Sequence, residues 1–100
     1  MVKKKLEEAI EFVWDKGNVD KNFVKHRVSN EESEEVFFDK RKVAFPDIIH
    51  SGKEERFIIL GKTKKERVLF VAYTKRGNKI RVISARDINR KEKSLYEKET

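Results

Sequence analysis

One hundred residues, 43% of them charged and 37% hydrophobic, describe a single domain over residues 1–100 with one economical core. The absence of cysteine excludes a disulfide framework and thiolate metal sites, and His26 and His50 alone are too few for a transition-metal centre, so neither metal nor cofactor is expected. No apolar run approaches the roughly 20 residues of a membrane span, and M-V-K-K-K-L-E-E-A lacks the apolar stretch of a signal peptide, so the expectation is a cytoplasmic chain with no membrane partner.

Residues 3–11 carry helical propensity, with Lys3 and Glu7 four apart. Ile10, Phe12 and Trp14 then alternate on one side, which predicts a strand near 9–14. Asp15 suits the N-cap of a helix over about 16–26, with Val19, Phe23 and Val24 as its buried face. Ser29 and Glu32 form a capping box that opens a second helix over about 30–38. Its acidic residues, Glu31, Glu32, Glu34 and Glu35, sit toward the positive end of the helix dipole, and Val36, Phe37 and Phe38 dock the far end.

Residues 42–45 read as a short strand stopped by Pro46, and residues 47–53 as a loop turning at Ser51-Gly52. R-F-I-I-L-G at 56–61 and R-V-L-F-V-A-Y-T at 67–74 are apolar on both faces, as strands inside a covered sheet are. R-G-N at 76–78 is a tight hairpin signal. Residues 79–85 pair back, and Asp87 caps a last helix over about 88–98. This order argues an α+β domain: a mostly antiparallel sheet of about four to five strands, two helices in the N-terminal half and one C-terminal helix, packed mainly on one face.

The strand K-I-R-V-I-S-A-R at 79–86 carries cations that burial alone does not require. Residues 1–50 hold 10 basic and 11 acidic side chains, whereas residues 51–100 hold 15 and 7, so the net charge of +7 belongs to the second half. That asymmetry points to a polyanion such as RNA or DNA. A solvated, lysine-rich surface gives the same composition.

Several short pieces recur in a specific order: F-V-W-D at 12–15, K-N-F-V-K-H at 21–26, V-S at 28–29, E-V-F at 35–37, E-E-R-F at 54–57 and G-K-T at 61–63. R-V-L-F-V-A-Y-T at 67–74, R-G-N-K-I-R at 76–81, I-S-A-R at 83–86, Glu92 and Tyr96 complete it. Together they resemble the BrnT family of small bacterial and archaeal toxins, over about residues 12–97. The chain departs from that pattern at Arg27, where glycine commonly ends the helix in a left-handed conformation, and at Asn30, Ser33 and Glu34.

The resemblance implies a RelE-like fold and a ribonuclease toxin of a type II toxin–antitoxin pair that inhibits translation by cutting RNA. It further implies a ribbon-helix-helix antitoxin, BrnA, that wraps the toxin and represses the operon, so operator DNA is reached only through the antitoxin. The expected complex is a two-to-two heterotetramer.

Metal-free RNA cleavage needs a base for the 2′-hydroxyl, an acid for the leaving oxygen and cations around the phosphorane. Arg56, Arg81 and Arg86 are the candidates for bidentate phosphate contacts. Tyr73 either stacks a base, donates a proton or is a core aromatic with a wet hydroxyl. Glu55 is a candidate base or an ion-pair partner. His26 is a candidate acid or base, histidine being the side chain suited to proton transfer around neutral pH, or simply caps a helix end, and His50, in a loop, ranks behind it. Lys53, Lys62, Arg67, Lys79 and Arg90 are the candidate RNA-binding cations. Without an unmistakable acid–base pair a second reading stays open: a catalytically inactive homologue acting as a binding module and corepressor with its antitoxin.

Overall fold

The computed structural model describes residues 10–99; most of the helical lead expected over 3–11 lies outside them. Five strands, β1 (Glu11–Phe12), β2 (Val43–Pro46), β3 (Arg56–Lys62), β4 (Val68–Arg76) and β5 (Lys79–Asp87), form one sheet in the order β1-β5-β4-β3-β2. All neighbours are antiparallel except β1 and β5, which run parallel. The helices are α1 (Lys21–His26), α2 (Asn30–Glu35), continued by a 3₁₀ turn (Val36–Phe38), and α3 (Arg90–Glu99). The α+β class with two helices in the N-terminal half and one at the C-terminus is the architecture the sequence predicts. No helix among the described residues is long and apolar enough to cross a membrane.

The two N-terminal helices share one face of the sheet, so the helices pack mainly on one side as expected, and α3 covers part of the other. Alternation along the strands sends Ile59, Val71, Tyr73 and Val82 to a first face, against Val28, Val36 and Phe37 of the N-terminal half. It sends Ile58, Leu60, Ala72 and the partly buried Phe70 to the second face, under Tyr96 of α3. The stretches 57–60 of β3 and 68–73 of β4 are therefore apolar on both faces. The Tyr96 hydroxyl donates to Asp39 Oδ2 at 2.7 Å, and the Lys62 N–H donates to the same oxygen at 2.8 Å. Burial first, then the Asp39 carboxylate, pushes the Tyr96 phenol up to about 12, so it serves as a neutral donor.

The region before α1 departs most from expectation. Residues 16–20 form turns and the helix begins only at Lys21, with Asp20 in the left-handed region at φ 56. Asp15 does not cap it, because its carboxylate accepts from the Gly17 N–H at 2.8 Å and from Arg81. The inward residues are Asn18 and Asn22, 1% and 3% exposed, while Val19, Phe23 and Val24 are 41%, 45% and 78% exposed. Asn18 belongs inside because its amide serves three backbone groups. Its Nδ2 donates to the Val13 and Val82 carbonyls at 2.9 and 3.0 Å, and its Oδ1 accepts from the Asp15 N–H at 2.7 Å. A buried polar group with every bond made carries no desolvation deficit. Arg27 itself takes the left-handed cap at φ 57, in place of glycine.

The capping box at Ser29 and Glu32 forms as predicted, but α2 tightens into the 3₁₀ turn at Val36. Helix α3 starts later than expected and is capped by Asn89, not Asp87: Asn89 Oδ1 accepts from the Glu92 N–H and Glu92 Oε1 from the Asn89 N–H, both at 2.9 Å. Asp87 instead ends β5 and receives Arg67.

Candidate nucleic-acid interface

Strand β5 is bulged. Its register with β4 passes from Tyr73↔Val82 to Ala72↔Ser84, so Ile83 is the extra residue. Residues 81 and 86 are an odd number apart and would point to opposite faces of a regular strand. The bulge brings them to the same face, where Arg81 lies opposite Thr74 and Arg86 opposite Phe70. Those two partners are four residues apart on β4, so the arginines are separated by about 13 Å along the sheet.

Arg81 belongs to a row across three strands. Arg56 of β3 pairs with Thr74, and Thr74 with Arg81. Neighbouring strands lie about 4.8 Å apart, which sets the two arginine Cα atoms about 10 Å from each other with one phosphate within reach of both. The Thr74 hydroxyl is committed to the Glu55 carbonyl at 2.8 Å. One row further out, Arg76 Nε donates to Glu54 at 3.1 Å, and Lys79 Nζ lies 3.7 Å from Glu11.

Asp15 meets Arg81 along one edge of the guanidinium, with Nε at 3.2 Å from Oδ2 and Nη2 at 3.0 Å from Oδ1. Hydrogen bonds from Arg81 and then from the Gly17 N–H hold Asp15 below the usual carboxylate range, and Asp15 in turn raises Arg81. This contact uses two of five donors and leaves Nη1 without a partner among the described residues, so the outer fork stays open to an oxyanion. Arg86 is bound the other way. Its Nη1 and Nη2 both donate to Glu92, at 2.9 and 2.8 Å, while the guanidinium lies 4.0 Å over the Phe70 ring. Its fork is occupied by the first turn of α3.

The other sequence candidates divide by position. Glu55, exposed and without a side-chain partner among the described residues, precedes Arg56 at the same end of the sheet as the exposed Lys53. Tyr73 is 6% exposed on the first face, packed against Phe37 and Phe57 at 4.9 and 5.5 Å between ring centres, and burial raises its phenol. It therefore presents no ring face for a base. His26, Arg67, Lys62 and Arg90 all lie toward the opposite end of the sheet, beside the end of β3, the start of β4 and the end of β5. Arg67 fastens that end: it donates to both Asp87 oxygens at 2.6 and 3.0 Å, to Glu32 at 3.3 Å, and to the carbonyls of Arg27 and His26 at 2.7 and 3.0 Å. The Arg56–Arg81 row and His26 are not brought together.

The loop that carries His50 closes onto Arg56 through Asp47 and Ser51, and His50 Nδ1 lies 2.9 Å from Asp47 Oδ2. Sequence reasoning missed Asp15 and Asp47 as partners of these groups, because both contacts are set by tertiary neighbours or loop closure. Among the described residues, no three His, Cys, Asp or Glu side chains converge in a metal-binding group.

A family model described as the ribonuclease toxin BrnT of type II toxin–antitoxin systems matches residues 14–92. The match takes in Asp15, His50, Arg56, Arg81, Arg86 and Glu92. A search of curated proteins finds no match.

Proposed function

The chain belongs to the BrnT ribonuclease toxins of type II toxin–antitoxin systems, and from that membership we propose a metal-independent endoribonuclease that holds the scissile phosphate between Arg56 and Arg81. The observation that carries the reading is the open fork of Arg81, in a row with Arg56 on a rigid sheet. Two guanidinium groups held by paired strands stabilise the charge of a phosphorane without reorganising. The substrate's own 2′-hydroxyl is the nucleophile, and cutting RNA in this way inhibits translation in the cytoplasm. The fold is of the RelE-like kind that the resemblance implies.

The partner in this reading is a BrnA-like ribbon-helix-helix antitoxin in a two-to-two complex. Its acidic segment covers the surface between Arg81 and Arg86 and associates fast at low salt with a toxin of charge +7. Operator DNA is reached through the antitoxin alone. A second reading, an inactive corepressor, draws on the carboxylates that already neutralise Arg81 and Arg86.

Purified protein separates the two. It is expected to cut RNA with EDTA present, and Arg81→Ala or Arg56→Ala to lose about 100-fold in rate. Protein inert toward both free RNA and ribosomes, with operator binding by the antitoxin still tightened, establishes the corepressor instead.

A further inference from the structure

The row of Arg81, Thr74 and Arg56 continues to Asp47, and Asp47 holds a histidine. The Asp47 N–H donates to the Arg56 carbonyl at 2.8 Å, one residue beyond the last β2 pair, Pro46↔Phe57. Directly opposed residues share a face, so Asp47 stands beside Arg56 on the second face. Ser51 closes the loop onto the same strand: its Oγ accepts from the Arg56 N–H at 2.9 Å and donates to the Asp47 carbonyl at 2.7 Å.

Within this loop His50 Nδ1 lies 2.9 Å from Asp47 Oδ2 and 3.1 Å from Oδ1, and the His50 backbone N–H donates to Oδ1 at 3.3 Å. The Asp47 side chain is 16% exposed and the imidazole 66%. A carboxylate at Nδ1 selects the tautomer with its proton there and leaves Nε2 bare and basic. Nε2 has no partner among the described residues. A structural contact of this kind at a loop tip contributes little stability, yet the loop is tied to the strand at both ends of Arg56.

We propose that His50, oriented by Asp47, is the general base of the RNA cleavage, an inference that rests on the reading of Arg56 and Arg81 as phosphate ligands. Nε2 takes the proton of the 2′-hydroxyl, and the 2′-oxygen bonds to phosphorus. The bond from phosphorus to the 5′-oxygen breaks, and that oxygen leaves with a proton from solvent water. The products are a 2′,3′-cyclic phosphate and a 5′-hydroxyl. Asp47 stabilises the imidazolium formed, while Arg56 and Arg81 take up the phosphorane charge. Asp47 is the charged group in contact with the imidazole; the same connection also carries Lys53, Glu54 and Glu55 and leads into Arg56 of β3, and Glu54 pairs with Arg76 of β4.

Cleavage of an RNA oligonucleotide by the full chain, followed from pH 5 to 9, tests this. Wild type is expected to gain kcat with pH along one limb and level off. His50→Ala loses about 100-fold in kcat with little change in KM, loses that limb, and recovers part of the rate when imidazole is added. Asp47→Asn, which weakens the contact that orients the imidazole, is expected to lower kcat about 10-fold with little change in KM. Arg81→Ala is slow and keeps the limb in place. His50→Ala with wild-type kcat and limb overturns the inference and leaves the phosphate reading standing, whereas wild type that cuts no RNA removes both.

Discussion

Arg81 and Arg86 carry the same group and differ in what they can still bind, because carboxylates approach them from different edges. Asp15 takes the Nε edge of Arg81, and Glu92 takes the terminal fork of Arg86. The first arrangement leaves the terminal Nη1/Nη2 fork of Arg81 for a phosphate, whereas the second leaves Arg86 only its Nε/Nη2 edge. Gly17 keeps the space this needs. A Cβ there would sit 2.7 Å from Arg81 Nη2 and 3.2 Å from Asp15 Oδ1. Gly17→Ala is therefore expected to displace the guanidinium and cost about 10- to 100-fold in RNA cleavage. Stability stays within about 0.5 kcal/mol, because the displaced atoms end a flexible side chain at an exposed turn. Activity equal to wild type in the folded variant refutes the positioning of Arg81 by this pocket.

At the scale of elements, two local departures from regularity set the geometry. The bulge in β5 turns Arg81 and Arg86 to the face opposite α1 and α2, while Val82 and Ala85 stay on the first face with the core. The hairpin that precedes it is a two-residue loop, Gly77-Asn78, in which only Gly77 has positive φ, at 65°, as the first position of a type II′ turn requires. On the other flank, β3 comes so close to the 3₁₀ turn that a Cβ on Gly61 would lie 2.6 Å from Val36 Cγ1 and 2.8 Å from its carbonyl oxygen. Backbone cannot yield as a side-chain tip does. Gly61→Ala is expected to destabilise the fold by about 1–3 kcal/mol, read from the midpoint of chemical denaturation. An unchanged midpoint contradicts this packing.

At the scale of the whole molecule, four carboxylates are held below their ordinary values: three of them, Asp15, Asp39 and Asp87, tie distant parts of the chain together, and Glu92 fastens α3 to the end of β5. Asp15 and Asp87 are lowered chiefly by hydrogen bonds from Arg81 and Arg67. Asp39 and Glu92 are first raised by burial, and the bonds from Tyr96 and Arg86 with nearby backbone N–H groups outweigh it. A depressed folded value means the unfolded chain binds more protons, so the stability from these contacts is complete above about pH 5 and lost as pH falls through the folded values. Thermal unfolding midpoints are expected to be level from about pH 5 to 7 and to fall steeply below pH 4. A midpoint that holds steady down to pH 2 excludes these ties as contributors.

The sequence by itself determined the class and order of the elements, since β3, β4, the Gly77-Asn78 turn and the Ser29–Glu32 box are local patterns with local causes. It also carried the family, because motif spacing survives without coordinates. What it left undecided was which groups meet. Helical spacing assigned Val19, Phe23 and Val24 to the core, yet Asn18 took that place by satisfying backbone 64 residues away in Val82. Asp15 resembled a cap and became the partner of Arg81, and what read as a plain turn closed onto Arg56 through Asp47 and Ser51 and paired His50 with Asp47. Periodicity reports the solvation of single residues along one element. Pairings across strands and the one-residue bulge that turns an arginine from one face to the other are fixed by long-range register, which only the tertiary structure supplies.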